Sequence, residues 1–482
     1  MERLYKELAF YGNSDYYPFH MPGHKRNRAI IDADFPFERD ITEIDGFDNL
    51  HHPEGLILEA EKRTAGLYGS KECFFSVNGS TAALLAAVSA CVKRGGQILM
   101  ARNCHKAVYH AVYLRDLKPT YVYPHIEHEL GINGGITPSR IKRALEENSE
   151  IEAILITSPT YDGIVSDVAG IARIAREYEI PLIVDEAHGA HFRFSDYFPV
   201  SAVNLGADIV IQSLHKTLPS MTQTAVLHRC SDLVSSDMLK RFMGIYQSSS
   251  PSYILMASMD ACMDKLEKDG SELYRKYTEN LKKLRERLEQ CRYIRLATSD
   301  LIGKAGIFDY DRSKLLFFTK ETSLTGKILH EILRTEFHIQ MEMESEQYVL
   351  GITSVGDTEE GFERLCGAIE EIDHRESLKK KSQKNKNEKN IPSGSYPCVQ
   401  LKQMMGIASA MESVSRRCPL EESIGKISTE FVYLYPPGIP ILVPGEQITG
   451  QFVRNVRRYM EQGLDLQGLS DYTNKTICIT GE

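Results

Sequence analysis

The sequence lacks the marks of several large classes of protein. Its strongest apolar run, residues 82–92, is about half as long as the ~20 residues that a membrane-spanning helix needs. The N-terminus is charged and has no apolar signal core. Lysine and arginine number 57 against 66 acidic residues, a net charge of −9, which argues against a nucleic-acid backbone as the main ligand. We therefore expect a cytoplasmic protein that binds neither membranes nor nucleic acids.

Cysteine motifs are also missing. The ten cysteines are irregularly spaced and include no C-x-x-C pair, so we expect neither a metal site nor a disulfide framework. There is no internal repeat. Residues 379–390 contain no apolar side chain, which predicts an exposed, flexible linker over 379–395. A nucleic-acid patch is the alternative for this basic run, but no aromatic residues are interleaved for base stacking.

The rest of the chain has the composition of a globular protein, with 42% hydrophobic and 26% charged residues. Short strands that are apolar on both faces alternate with helical patterns, which is typical of a buried parallel sheet in an α/β fold. We predict an N-terminal arm (1–37), a large α/β domain (38–290), a smaller α+β domain (291–378) and, beyond the linker, a C-terminal domain (396–482). A long amphipathic helix containing Leu273 to Leu288 leaves the large domain.

Four polar segments follow predicted strands or open helices, where α/β proteins bind ligands. Asn78 to Thr81 could hold a phosphate at a helix start, although for this segment alone a simple Ser/Thr helix cap is the favoured explanation. His105 follows an apolar strand and could cover a flat ring. Asp185 and Lys216 end two further strands, where a buried charge needs a partner or a chemical role. Each segment alone is also compatible with a purely structural role.

Together the four segments match the needs of pyridoxal phosphate. This cofactor requires a lysine for its aldehyde, an acid for its pyridine nitrogen and a site for its phosphate. The order along the chain, with Lys216 following Asp185, resembles the fold type I (aspartate aminotransferase-like) pyridoxal-phosphate enzymes.

Longer motifs narrow this resemblance to the Orn/Lys/Arg decarboxylase family. They span nearly the whole chain and comprise residues 19–25 (FHMPGHK), 103–106 (NCHK), 159–163 (PTYDG), 185–191 (DEAHGAH), 213–216 (SLHK), 248–253 (SSSPSY) and 437–446 (PGIP…PGE). The resemblance implies decarboxylation of lysine, arginine or ornithine, without choosing among them. It also implies a homodimer or higher homo-oligomer with shared active sites and a role such as polyamine biosynthesis.

The family pattern assigns a role to each matching residue. Lys216 is the Schiff-base lysine, and Asp185 is the partner of the pyridine nitrogen. His105 stacks on the ring, and His188 lies beside it. The remaining assignments are the phosphate contacts Gly79, Ser80, Thr81, Ser213 and His215, Ser249 from the neighbouring subunit, and Glu446 as the candidate partner of the substrate's distal cation. The proton donor to the α-carbon is open among His188, His215 and Lys216.

The sequence departs from the family's large bacterial members in one respect. Only about 18 residues precede the motif at 19–25, so we expect the short form that lacks the N-terminal wing domain, with a shortened last domain. Two other functions stay open: another fold type I activity, such as an aminotransferase or lyase, and a non-catalytic regulatory homologue. The DEAH letters at 185–188 also occur in helicases, but the P-loop that such enzymes need is missing.

Overall fold

The computed structural model describes residues 3–14, 21–22, 25, 35–382, 400–435, 438–461 and 463–481. Four of the seven residues of the predicted motif at 19–25 and most of the predicted linker therefore lie outside the described residues. None of the helices within these ranges is long and apolar enough to cross a bilayer.

A seven-stranded sheet forms the large domain, with the strand order β1-β10-β9-β8-β6-β2-β3. Only β10 runs antiparallel to its neighbours among these strands, which confirms the predicted mostly parallel α/β sheet. The strands up to β10 are β1 (Glu72–Ser76), β2 (Gln97–Ala101), β3 (Lys118–Val122), β4 (Ile126–Glu127), β5 (Ile132–Asn133), β6 (Ile151–Thr157), β7 (Ile164–Val165), β8 (Leu182–Asp185), β9 (Ile209–Ser213) and β10 (Ala225–Arg229).

Helices cover this sheet and connect its strands. The predicted long helix runs from Tyr253 to Leu288 and starts where Ser252 accepts a hydrogen bond from the N–H of Leu255. Serine is a favoured N-cap because its side chain satisfies such a free N–H. The helices of this part are α1 (Leu4–Gly12), α2 (Leu56–Tyr68), α3 (Gly79–Cys91), α4 (Lys106–Arg115), α5 (Pro138–Glu147), α6 (Val168–Glu177), α7 (Leu214–Thr217), α8 (Ser236–Tyr246) and α9 (Tyr253–Leu288).

A smaller antiparallel sheet follows, with the order β11-β13-β15-β14. One short strand of this segment, β12, pairs with β7 of the large domain, so the two parts are joined by backbone hydrogen bonds. The elements are β11 (Arg295–Leu296), β12 (Asp309–Tyr310), β13 (Lys314–Phe318), α10 (Gly326–Thr335), β14 (Met343–Glu344), β15 (Tyr348–Ile352) and α11 (Glu359–Ser382). Helix α11 continues into the first residues of the predicted linker.

The C-terminal part has a hydrophobic core of its own. A three-stranded sheet, β18-β17-β19, and a two-stranded sheet, β16-β20, enclose it with one long helix. The elements are α12 (Ile407–Glu412), β16 (Ser415–Pro419), β17 (Val432–Leu434), β18 (Ile439–Leu442), α13 (Gly450–Glu461), β19 (Leu466–Gln467) and β20 (Thr476–Thr480). The three groups of sheets fall within the predicted ranges 38–290, 291–378 and 396–482, whose boundaries stay predictions.

Candidate active site

Most of the predicted site residues line a single cavity. It has a volume of about 690 Å³ and lies at the carboxyl ends of the parallel strands, with walls from all three parts of the chain. This is where open α/β sheets bind ligands. The predicted residues that line it are Gly79, Ser80, Thr81, His105, Asp185, His188, Ser213, His215 and Lys216. Ser249 and Glu446 do not line it.

Asp185 and Lys216 meet because their strands are neighbours. Asp185 is the last residue of β8, which pairs in parallel with β9, and Lys216 lies in the short helix α7 that begins where β9 ends. Burial raises the pKa of Asp185 and lowers that of Lys216, while each charge opposes the shift of the other. The site therefore holds a carboxylate beside an amine that loses its proton more readily than a surface lysine.

The phosphate segments also converge. Gly79 opens α3 with φ at +70°, a conformation that glycine adopts without strain, and its N–H donates to the carbonyl of Gln223 at 2.9 Å. The hydroxyls of Ser80 and Ser213 lie 2.7 Å apart, so the start of α3 and the end of β9 meet. Helix N-termini have free N–H groups and a partial positive charge that suit a phosphate.

His215 joins this group with a fixed tautomer. Its Nδ1 lies 2.9 Å from the carbonyl oxygen of Thr224. A carbonyl can only accept, so Nδ1 carries a proton. Burial lowers the pKa of His215, which the Thr224 carbonyl partly offsets. A bound phosphate would favour a second proton on Nε2 and thereby a hydrogen-bond donor toward the anion.

His105 is held as a neutral ring at the start of α4. Its Nδ1 accepts a hydrogen bond from the N–H of Ala107 at 3.2 Å, and burial lowers its pKa to about 4. The C-terminal part supports it: the N–H of Lys106 donates to the carbonyl of Gly438 at 3.2 Å, and a Cβ added at Gly438 would lie 3.6 Å from Nε2 of His105. A neutral, braced ring suits the predicted stacking role.

His188 lies deeper in the cavity wall. Its Nε2 is 3.0 Å from Nζ of Lys216, and its Nδ1 is 3.0 Å from Nζ of Lys314. Burial lowers its pKa well below the usual value, and the two lysines lower it further. The imidazole is therefore neutral. It carries a single N–H, so it can donate a hydrogen bond to only one of the two lysines.

Sequence reasoning missed four residues that complete this site. Asn103 and Tyr161 lie within motifs recognised in the sequence, so a signal for them was present; both line the cavity. Lys314 and Glu342 come from the smaller sheet, far away along the chain, and carry no local motif. Glu342 lines the cavity and accepts a hydrogen bond from the hydroxyl of Tyr161.

Glu446 occupies a different place from the one expected. Its side chain is fully buried, and its carboxylate pairs with Arg102 at 3.1 Å and accepts the N–H of Val443 at 2.9 Å. Arg102 and the N–H of Val443, rather than a group in the cavity, therefore compensate the charge of this carboxylate. Within this chain, Glu446 joins the C-terminal part to the residues that follow β2, and it does not line the cavity.

Ser249 also stays apart from the cavity of its own chain. It is exposed, between Ser248 and Ser250. The N–H of Ser248 donates to the side chain of Asn78 at 3.2 Å, and Asn78 lines the cavity. The serine run therefore lies close to the mouth of the site, with Ser249 turned to solvent.

These residues fit pyridoxal phosphate. A buried amine lies beside a buried carboxylate, two serine hydroxyls and a helix start form an anion site, and a neutral imidazole is braced above. In addition, the side-chain oxygen of Asn103 is buried without a hydrogen-bond partner among the described residues, on the wall of the cavity. Such an atom needs a ligand or water to satisfy it.

Comparison with known proteins agrees with this geometry. Residues 3–318 match the family described as Orn/Lys/Arg decarboxylase, major domain, and residues 393–467 match its C-terminal domain. The chain belongs to the Orn/Lys/Arg decarboxylase family. It is an amino-acid decarboxylase of the fold type I class, and its cofactor is pyridoxal phosphate.

Individual relatives cover almost the full chain. Arginine decarboxylase of Bacillus subtilis (strain 168) is 33% identical over 99% of this chain and 98% of its own length. Arginine decarboxylase of Bacillus anthracis is 32% identical over 99% of this chain and 97% of its own. The crystal structure of the Francisella novicida lysine decarboxylase superimposes with a TM-score of 0.83 at 20% identity, over 99% of this chain and 80% of that chain, which supports the fold.

Proposed function

We propose that this decarboxylase acts on a basic amino acid, that its preferred substrate is arginine, and that the products are the corresponding amine and CO2. One observation supports this reaction: Lys216, Asp185 and the serine-lined helix start all line the same cavity. The choice of arginine is supported by the arginine decarboxylases of two Bacillus species, which match over nearly their whole length.

Each part of the chemistry has a residue in this proposal. Lys216 would hold the cofactor at its aldehyde group, and Asp185 would hold a proton at the pyridine nitrogen. A pyridoxal phosphate bound in this way would supply an electron sink for the pair left when CO2 departs. His105 fixes the plane of the ring, and Ser80, Thr81, Ser213 and His215 hold the phosphate. His188, His215 and Lys216 remain the candidates for returning a proton to the α-carbon.

A distal cation on the substrate needs a carboxylate in the cavity. Glu446 is already paired with Arg102. Apart from Asp185, the carboxylates that line the cavity in the described part of the chain are those of Glu342 and Asp357. Glu342 is the better candidate because the hydroxyl of Tyr161 orients it. We therefore propose Glu342, rather than Glu446, as the partner of the substrate's guanidinium or ammonium group.

The proposal includes a homodimer with shared sites. Ser249 is exposed near the mouth of the cavity without entering it, as expected of a residue that completes the site of a neighbouring subunit. Among the described residues, the cavity lining includes no arginine or lysine other than Lys216, so an added donor from a partner would strengthen phosphate binding.

A product assay tests the reaction and the substrate together. Holoenzyme is given arginine, lysine and ornithine in separate reactions, and the products are identified by mass, with Lys216→Ala as the control. We expect one dominant amine, formed from arginine, and no multiple-turnover product from the variant. A keto acid in place of an amine would contradict decarboxylation, and faster turnover of lysine or ornithine would contradict only the substrate.

A further inference from the structure

His188 is held between two lysines from different parts of the fold. Lys216 follows β9 of the large sheet, whereas Lys314 is the first residue of β13 in the smaller sheet. Each amine lies 3.0 Å from a different ring nitrogen of His188. The imidazole therefore couples the lysine of the reaction to a second lysine with no assigned role.

Lys314 is firmly fixed at this position. It is fully buried, and a Cβ added at Gly163 would lie only 2.7 Å from its Cγ, so the backbone at Gly163, whose φ is +91°, packs directly on its side chain. Its Nζ makes one hydrogen bond among the described residues, with Nδ1 of His188. Burying an amine with a single neutral hydrogen-bond partner costs free energy, so stability alone does not explain a lysine at this position.

The hydrogen-bond geometry limits how many protons Lys216, His188 and Lys314 can carry together. A protonated lysine can only donate, and a neutral imidazole has one nitrogen that donates and one that accepts. If both lysines were protonated, one of them would face the N–H of His188. One lysine must therefore be a neutral amine that accepts this N–H, while the other is protonated and donates to the opposite nitrogen.

The proposed function decides which lysine is neutral, and this inference rests on it. Lys216 must be an unprotonated amine to attack the cofactor aldehyde, because only the free electron pair forms the bond. Lys314 has no such task and lies near buried acidic groups. The proton therefore belongs on Lys314, which donates to Nδ1 of His188, and the proton of His188 belongs on Nε2, facing Lys216.

We propose that Lys314 is a positioning residue: it fixes His188 as the Nε2–H tautomer, and this N–H keeps Lys216 a neutral, reactive amine. Lys314 touches neither the cofactor nor the substrate in this role and acts only through His188. A consequence is that His188 presents a donor to the cavity, whereas neutral His215, with its proton on Nδ1, presents an acceptor.

The surrounding charges set the pH range of this arrangement. Burial lowers the pKa of Lys314 to about 8, with Asp311 opposing the shift. His188 carries no charge of its own because its pKa lies far below neutrality. Repulsion from a protonated Lys216 contributes to the lowering of the Lys314 pKa. With Lys216 neutral, Lys314 keeps its proton to higher pH, and Nδ1 of His188 loses its donor only when that proton leaves. The other groups that face these two residues are Lys216, Glu342 and Asp162 around Lys314, and Lys216, His105, His215 and Tyr161 around His188.

The first test measures how readily Lys216 bonds to the cofactor. Apoprotein is mixed with pyridoxal phosphate at a series of pH values, and the rate at which the visible absorbance of the bound cofactor appears gives the midpoint at which Lys216 loses its proton. We expect Lys314→Met to move this midpoint to higher pH, by on the order of one unit. Lys320→Met makes the same chemical change at an exposed lysine near the end of β13 and should leave the midpoint where it is.

The second test measures the tautomer of His188 directly. It therefore tests the proposal even if Lys314→Met does not fold. Apoprotein labelled with nitrogen-15 in histidine is studied by NMR, and His188→Gln identifies the signals of His188. We expect the Nε2–H tautomer at pH 7 in the wild type and in Lys314→Arg, which keeps the donor. A predominant Nδ1–H tautomer at pH 7, or an unshifted midpoint in a folded Lys314→Met, would overturn the proposal.

Both measurements use apoprotein and need no decarboxylation. If the tautomer and midpoint are as expected but no amine is formed from any basic amino acid, the proposed function fails and the role of Lys314 survives. If amine is formed while His188 has the opposite tautomer, only the role of Lys314 fails.

Discussion

Arg102 and Glu446 form an ion pair that is almost completely withdrawn from solvent. Their closest N–O distance is 3.1 Å, and their side chains are 1% and 0% exposed. The guanidinium also donates to the carbonyl of Pro440 and to the hydroxyl of Tyr109. Arg102 directly precedes Asn103 on the cavity wall, so this pair attaches the C-terminal part next to the active site.

The first prediction concerns the stability of this attachment. Glu446→Gln leaves the charge of Arg102 buried without a carboxylate, and breaking a buried pair in this way costs about 3–5 kcal/mol. We expect a clear fall in the urea concentration at which the C-terminal part unfolds, with little change in KM for the amino acid. Fluorescence or proteolysis across a urea series measures the first quantity and steady-state kinetics the second.

A matched control is the exposed pair of Glu421 and Arg457, whose side chains are more than half exposed. Solvent screens such pairs, so Glu421→Gln should leave the urea midpoint almost unchanged. A large rise in KM for Glu446→Gln at an unchanged urea midpoint would instead return Glu446 to the substrate site.

The phosphate contacts give a second prediction. Ser213→Ala removes a hydroxyl that meets Ser80 in the anion site, and a hydrogen bond to a charged group contributes about 1.5–3 kcal/mol. We expect the dissociation constant of pyridoxal phosphate to rise roughly ten- to a hundredfold, while kcat at saturating cofactor changes much less. Ser299→Ala, at an exposed serine of the smaller domain, should bind the cofactor normally; equal affinity in both variants would contradict the assignment.

The sequence predicted the large sheet and the residues at its strand ends because both depend on local patterns. Asp185 ends an apolar strand and Lys216 follows the end of the next one, and parallel neighbours bring such ends together. Lys314, which contacts His188, and Glu342, which lines the cavity, could not be found in this way, because both reach the site only when the smaller sheet docks on the large one. The sequence could not predict the pairing of Glu446 with Arg102 for a related reason: a motif indicates that a segment is near the site, but not which charged partner its carboxylate meets.

The third prediction tests Glu342 as the partner of the substrate's distal cation. Glu342→Gln should raise KM for the basic amino acid roughly tenfold or more, because it removes an interaction between two charged groups. Cofactor affinity should stay constant. Tyr161→Phe, which removes only the hydroxyl that orients Glu342, should have a smaller effect in the same direction.

A nearby carboxylate, Glu344, shows which of two cavities binds the distal cation. Glu344 lies two residues further along the chain, with a carboxylate oxygen 3.1 Å from Nδ1 of His330, and it lines a neighbouring cavity of about 230 Å³. We expect Glu344→Gln to leave KM unchanged. If KM rises for Glu344→Gln and not for Glu342→Gln, the distal cation lies in the neighbouring cavity.

The fourth prediction concerns pH and Glu61 in α2. Burial raises its pKa from 4.5 to about 8, although the N–H of Phe75 donates to it. Between these two values the folded protein keeps a proton that the unfolded chain has lost, so stability falls as the pH rises. Thermal unfolding of the apoprotein from pH 5 to pH 8 should show this decline in the wild type and a weaker one in Glu61→Gln. The half-buried Glu59 of the same helix provides the control, and an identical slope in Glu61→Gln would contradict the assignment.

The last prediction tests whether active sites are shared between subunits. Ser249→Asp places a carboxylate near the phosphate of a neighbouring site, where like-charge repulsion opposes cofactor binding, while Lys216→Ala removes the reactive amine. Each variant alone should be inactive or strongly impaired. In a mixed dimer, one site combines Lys216 of the first variant with Ser249 of the second and is intact. Dissociating and reassociating a mixture should therefore restore amine production, whereas a mixture of Lys216→Ala with itself should not. Absence of any recovery, with mixed dimers detected by mass, would mean that each site belongs to a single chain.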